Sequence, residues 1–173
     1  MVFKLMGSFI VVVSLYAYGW YMAEYTKKRR NELLGFKKAF MLFSGETMYA
    51  GGALWEVFEG IGNRCTGRAG KVFLKASGLL YMKGADSALA AWEEAVDEAT
   101  EGSFMAEEDI VNIKAFGRCL GFSDERSQLS NAELTVNYID EKSSELIEAY
   151  SEQKKLYKSL GVMAGLLITV VIF

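Results

Sequence analysis

The sequence predicts an all-α fold: a cytoplasmic bundle of about six helices flanked by an N-terminal and a C-terminal transmembrane helix. Three observations predict it. The 173 residues include no proline, which inside a helix costs about 3 kcal/mol, so helical runs go uninterrupted by it. No stretch sustains the apolar–polar alternation of a half-buried strand. Both ends are apolar and uncharged, while 24% of all residues carry charge, so the charge is concentrated in the middle. The division expected is a transmembrane helix over 5–23, a cytoplasmic helical domain over 24–158 and a transmembrane helix over 159–173.

The first element follows "MVFK". Leu5–Ala23 is nineteen positions without a charge, about 28 Å of helix against a hydrocarbon core of about 30 Å. A cleaved signal peptide fits poorly. The apolar run is too long, no small-residue site closes it, and the main basic cluster follows it. Lys27, Lys28, Arg29, Arg30, Lys37 and Lys38 come after this segment, against Lys4 alone before it. Lys154, Lys155 and Lys158 precede the last segment, and no basic residue follows within the sequence. Both biases place the middle of the chain in the cytoplasm and both termini outside. Tyr16, Tyr18, Trp20 and Tyr21 fall at the inner end of the first span, where an aromatic belt is expected. The final run, Leu160–Phe173, is fourteen residues, about 21 Å. Counted from Leu156, with Lys158 snorkelling, it reaches about 27 Å. A buried core helix is the alternative for this segment; the symmetry of the two ends favours two anchors.

In the middle, Asp124–Ser159 contains no glycine. A stripe at spacings of three and four runs through Leu129, Ala132, Val136, Ile139, Ser143, Leu146, Tyr150, Gln153, Tyr157 and Leu160, which predicts one long helix with a narrow buried seam. Ser123, followed by Asp124 and Glu125, is its expected N-cap. Leu33, Phe36, Phe40 and Phe43 give the first cytoplasmic helix a matching stripe. The two seams suit antiparallel packing. Between them, glycines punctuate shorter helices, with ends expected at Gly60 and Gly62, at Gly84, at Gly102 and at Gly121, and with Asp86 capping the segment around Trp92.

Chemistry is not visible. Histidine is absent, which removes the commonest metal ligand and the usual base near neutral pH, and the Glu-x-x-His of helical di-iron sites. Cys65 and Cys119 form no C-x-x-C and suit buried small hydrophobes in a reducing compartment. "GNRCTGRAGK" lacks the P-loop spacing, since Val72 follows Lys71, and is expected to be a loop. No catalytic, cofactor-binding or metal-binding residue is assigned, and no enzyme activity is expected. The net charge of −3 gives no sign of nucleic-acid binding.

Several stretches resemble the stage III sporulation protein AB family, and the likeness extends end to end. Glu46 and Tyr49 match the family's E-I-x-Y, with Leu54 following, and Ala91, Trp92 and Glu93 match its A-W-E. Phe116, Gly117, Leu120, Gly121, Asp124 and Gln128 match F-G-x-x-L-G-x-x-D-x-x-x-Q. Lys158, Leu160, Gly161, Gly165 and Leu166 match K-x-L-G-x-x-x-G-L. Thr47 and Ala53 depart from the family's Ile and Pro. The resemblance implies a membrane component of the sporulation channel between mother cell and forespore, in the mother-cell membrane facing the forespore. It implies other channel membrane subunits and a cytoplasmic secretion-type ATPase as partners, and a domain similar to type II secretion and type IV pilus platform proteins. The same architecture would serve a transmembrane regulatory or signal-transducing protein of another complex.

Two interaction sites are expected. Gly161 and Gly165 form G-x-x-x-G at the inner end of the last segment, and Gly19 and Ala23 form a small-x-x-x-small pair at similar depth in the first. Such residues let helix backbones approach closely in lipid, although glycine is common in membrane helices anyway. Nine acids and no basic residue lie between Lys83 and Lys114. A solvated face is the plainer account. The sharper one is a docking surface for a basic patch on the ATPase, centred on Glu93, Glu94, Asp97 and Glu98.

Overall fold

The computed structural model describes residues 2–47, 53–83, 88–120 and 125–172, and within these the side chains of 1–6, 8, 9, 11, 12, 15, 47, 83, 125, 154, 158 and 160–173 lie outside the described set. The helices are α1 (Val2–Thr47), α2 (Leu54–Arg64), α3 (Gly67–Lys83), α4 (Ala88–Thr100), α5 (Glu107–Ala115) and α6 (Glu125–Ile172), with a 3-10 turn over Phe116–Cys119. No strand occurs among the described residues. The first apolar segment and the first cytoplasmic helix are one helix, because "EYTKKRRNELL" offers neither glycine nor proline at which to stop. Among the described residues no helix is long and apolar enough to cross a membrane. Ser123, Gly84, Asp86 and Gly121, expected as helix caps and ends, also lie outside the described residues.

The chain divides into two units. One pairs 1–28 with 144–173, and the other is Arg29–Ser143. In the second unit, α1 buries Leu33, Phe36, Phe40 and Phe43 completely, as the stripe predicts. These rings join Phe58 of α2, Phe73 of α3, Trp92 of α4 and Phe116 into an aromatic core. Phe40 meets Phe116 at 4.9 Å, Phe43 meets Phe116 at 5.0 Å, and Trp92 meets Phe73 and Phe116 at 5.1 Å, with rings edge-on. Edge-to-face pairs at this spacing add about 0.5–1.5 kcal/mol beyond burial. The indole N–H of Trp92 donates to the Ile113 carbonyl at 2.9 Å, so the one polar atom of this ring is satisfied. The α6 seam buries Ala132, Thr135, Ile139 and Ser143 in this unit.

Two expected glycine stops are corrected. Gly60 and Gly62 lie inside α2, which continues to Arg64. Gly62 is needed for close approach: a Cβ there would stand 2.6 Å from the Leu74 side chain and 2.9 Å from its backbone nitrogen. "GNRCTGRAGK" is correspondingly mostly helical, broken only at Cys65 and Thr66 between α2 and α3. Gly102 does follow the end of α4, at φ +63°, a conformation that favours glycine.

In the first unit, Gly19 of α1 is buried against Tyr157 of α6; a Cβ on Gly19 would meet the Tyr157 ring at 2.5 Å. Leu146 is buried and Gln153 and Tyr157 are half-buried, while Tyr150 of the predicted stripe is exposed, so the seam of α6 continues here only in part.

Candidate interaction surfaces

α4 places its sides by helical spacing. Ala88, Ala91, Trp92, Ala95 and Val96 are buried, so Glu93, Glu94, Asp97 and Glu98 fall on the opposite side, and all four are exposed. The structure brings the four predicted docking acids onto one helix face. The wider run of nine acids is not single-signed. Lys75 of α3 reaches Glu98 at 2.7 Å and Lys114 of α5 reaches Asp97 at 2.6 Å. The hydrogen bond to Glu98 raises the Lys75 pKa.

Asp109 departs furthest from the solvated-face reading. It is completely buried. Its carboxylate accepts two hydrogen bonds from Arg29 of α1, at 2.7 and 3.0 Å, one from the Tyr138 hydroxyl of α6 at 2.8 Å, and one from the Ala106 N–H at 2.9 Å. The last bond satisfies a backbone donor at the start of α5, the service an acid three residues into a helix performs. Glu108 beside it accepts from Arg29 at 3.0 Å and pairs with Lys142 at 3.1 Å. Burial alone would push the Asp109 carboxyl up; the bonds from Arg29, Tyr138 and Ala106 outweigh it and hold the pKa below its ordinary value. Burial and the bond to Asp109 raise Tyr138. The bond to Asp109 likewise raises Arg29. Lys142 first, then Arg29, lowers Glu108. This cluster ties α1, α5 and α6 together.

A second staple centres on Arg68 of α3. It pairs with Glu32 of α1 at 2.9 Å and donates to the carbonyls of Ala99, Glu101 and Gly102. A cation on the last carbonyls of α4 complements that helix end. Glu32 in turn accepts from the Phe104 N–H at 3.0 Å. Sequence reasoning missed both clusters. The only signal in the sequence is an acid three places after Ala106; the basic cluster that includes Arg29 speaks there only to topology.

Among the described residues no group of His, Cys, Asp and Glu could hold a metal ion. Cys65 is buried and free, its thiol pKa pushed up by burial, and Cys119 is half-buried and free. Gly19 and Ala23 lie on one side of α1, buried and half-buried. The residue found opposite Gly19 is Tyr157, one turn before Gly161 in sequence. The surroundings of Gly161 and Gly165 lie outside the described residues.

The stage III sporulation protein AB of Bacillus subtilis (strain 168) is 27% identical over 165 residues, covering 95% of this chain and 96% of that protein. A solved structure of stage III sporulation protein AB superposes with a TM-score of 0.64 at 22% identity, over 72% of this chain and 97% of that one; this supports the fold alone. The sequence model of the stage III sporulation protein AB family matches residues 4–173. With the match spanning nearly the whole sequence, the chain belongs to the stage III sporulation protein AB family.

Proposed function

We propose that this chain is a non-enzymatic membrane platform component of the sporulation channel between mother cell and forespore. Leu5–Ala23 and Leu160–Phe173 are its anchors, with both termini outside and residues 24–158 in the cytoplasm. The observation that carries the membrane half is the exposure of Tyr16, Tyr18, Trp20 and Tyr21, each between 59% and 71%. At about 100° per residue these rings point to several sides of α1. A protein partner covers one side of a helix, whereas a lipid–water interface surrounds it, and amphipathic rings favour that interface. Lys27 and Lys28, also exposed, follow on the cytoplasmic side. Gly19 admits the Tyr157 ring of α6, and Gly161 and Gly165, one and two turns further along the sequence, would let the last anchor approach a neighbouring helix closely. Family membership supports the sporulation role.

Thiol labelling tests the topology. Glu101, just past the end of α4, is exposed and suits a label. With Cys65 and Cys119 replaced by Ala, Glu101→Cys should resist an impermeant maleimide in intact cells and react after permeabilisation. Reaction in intact cells would contradict the arrangement.

The cytoplasmic part of the proposal is that the α4 face docks a secretion-type ATPase through Glu93, Glu94, Asp97 and Glu98. Complementary charge would speed encounter and select the partner, with strong dependence on salt. Reversing all four would set Lys beside Lys75 and Lys114, so the cleaner variant is Glu93→Lys, Glu94→Lys, Asp97→Asn and Glu98→Gln. It should capture the ATPase about tenfold less well at low salt, a difference of about 1.4 kcal/mol, with helicity and membrane insertion retained. Undiminished capture would place the dock elsewhere.

A further inference from the structure

Gly62 and Gly117 are explained by what they touch, since a Cβ would press on Leu74 or on Trp92. Gly78 has no such reason. It lies inside α3, it is exposed, and a Cβ there would meet nothing within 4 Å among the described residues. Glycine in a helix interior is less favourable than alanine, so α3 is weakened with no packing gain among the described residues. The neighbours on this face are apolar and point outward: Leu74 is 42% exposed, Tyr81 70% and Met82 81%. Spacings of three and four put them in one row with Gly78. The result is an apolar ridge with a notch at its middle.

Contacts fix what flanks the ridge. On the α2 side, Trp55 meets Tyr81 edge-on at 5.1 Å, and Gly62 lies against Leu74. Glu59, exposed, falls between Trp55 and Gly62 on that same row of α2. On the α4 side, Glu98 bonds Lys75, and Glu94 is one turn before it on the same row. Carboxylates therefore border the apolar row on both sides, with Lys71 and Lys75 toward the start of α3.

We propose that this ridge docks one amphipathic helix of a protein partner. Its apolar stripe would seat on Leu74, Tyr81 and Met82, its backbone would approach α3 at Gly78, and Lys or Arg on both its flanks would face Glu59 and Glu94. Methionine adapts its shape to such a partner, and tyrosine offers a large rigid contact. A second copy of this chain docking face to face would set carboxylates against carboxylates, which is disfavoured. The proposal deepens the acidic-face reading of α4, on which the charge of one flank rests, and adds the shape of the partner's element.

The test uses full-length protein in nanodiscs of neutral lipid, with empty nanodiscs subtracted. The probe is a fluorescent amphipathic peptide of about five helical turns, with a leucine stripe and lysine flanks; a counter-probe carries glutamates in place of the lysines. Saturable anisotropy is expected with the lysine probe, at an affinity about tenfold or more above that of the glutamate probe. Gly78→Leu, which fills the notch while favouring the helix, should remove binding without lowering the melting temperature. Equal binding of the two probes, or unchanged binding by Gly78→Leu, would overturn the proposal. So would a dimer of the chain alone that Gly78→Leu dissolves. The acidic dock would survive these failures, because Asp97 and Glu93 lie toward α5, where Asp97 meets Lys114, and ATPase capture tests them separately.

Discussion

Asp109→Asn is expected to lower the stability of the Arg29–Ser143 unit by about 3–5 kcal/mol, the cost of breaking a buried ion pair from one side. Total stability of a domain is about 5–15 kcal/mol, so the loss is large. The wild-type carboxylate is fully buried and accepts four hydrogen bonds. An amide leaves the Arg29 charge uncompensated and turns one acceptor into a donor facing other donors. Arg29→Met combined with Asp109→Leu should recover only part of the loss, since it removes the uncompensated charge but orphans the Tyr138 hydroxyl and the Ala106 N–H. The pH dependence has a definite sign. The Asp109 pKa is lowered in the folded state, from an unfolded value of about 3.9. Its contribution is complete above that value and is lost as pH falls through the folded one. Denaturant midpoints measured against pH in constant detergent should therefore fall steeply below about pH 4 in the wild type and less steeply in Asp109→Asn. Parallel acid limbs for the two proteins would show that the carboxylate does not act this way.

Trp92→Ala should cost a comparable amount, about 3–5 kcal/mol. The indole touches Phe40, Phe58, Phe73 and Phe116, and Gly117 leaves no side chain between its own backbone and the ring. Neighbours that already interlock edge-on have little freedom to collapse into the space. Trp92→Phe separates packing from hydrogen bonding. It keeps a ring but orphans the Ile113 carbonyl, so about 1–3 kcal/mol is expected. Urea midpoints at fixed detergent, with unchanged slope, check both. If Trp92→Phe costs as much as Trp92→Ala, the hydrogen bond and not the aromatic packing dominates.

The elements that the sequence made legible are those whose signal is local. Phe36, Phe40 and Phe43 recur at helical spacing, and that alone assigns both their helix and their buried side. The order of helices and the outward face of α4 follow in the same way. Gly62 was misread because a glycine marks either a stop or a close approach. The choice rests on Leu74, twelve positions later in another helix, which local pattern cannot supply. The acidic run was misread for a related reason. Its counter-charges Arg29, Lys75 and Lys142 come from α1, α3 and α6, so a window along the sequence records acids where the fold has paired charges. Tyr138 gave no sign of its bond to Asp109, because a tyrosine at an ordinary helical position carries no mark of its partner.

The aromatic core also dictates an order in time. Phe36, Phe40 and Phe43 are synthesised early, yet the rings that cover them come from α2, α3, α4 and finally Phe116. At about 5–20 residues per second, the ribosome reaches Phe116 on the order of 4–15 s after Phe43. Until then, the stripe of α1 is covered only in part, Phe43 by Phe58 and Phe40 by Phe73 and Trp92 as each is made. The Arg29–Asp109 bond, spanning 80 residues, waits slightly longer. A nascent chain of this protein therefore carries a row of phenylalanines that is only partly shielded until Phe116 is made, and a chaperone or the insertion machinery is expected to cover α1 until the fold can close around it.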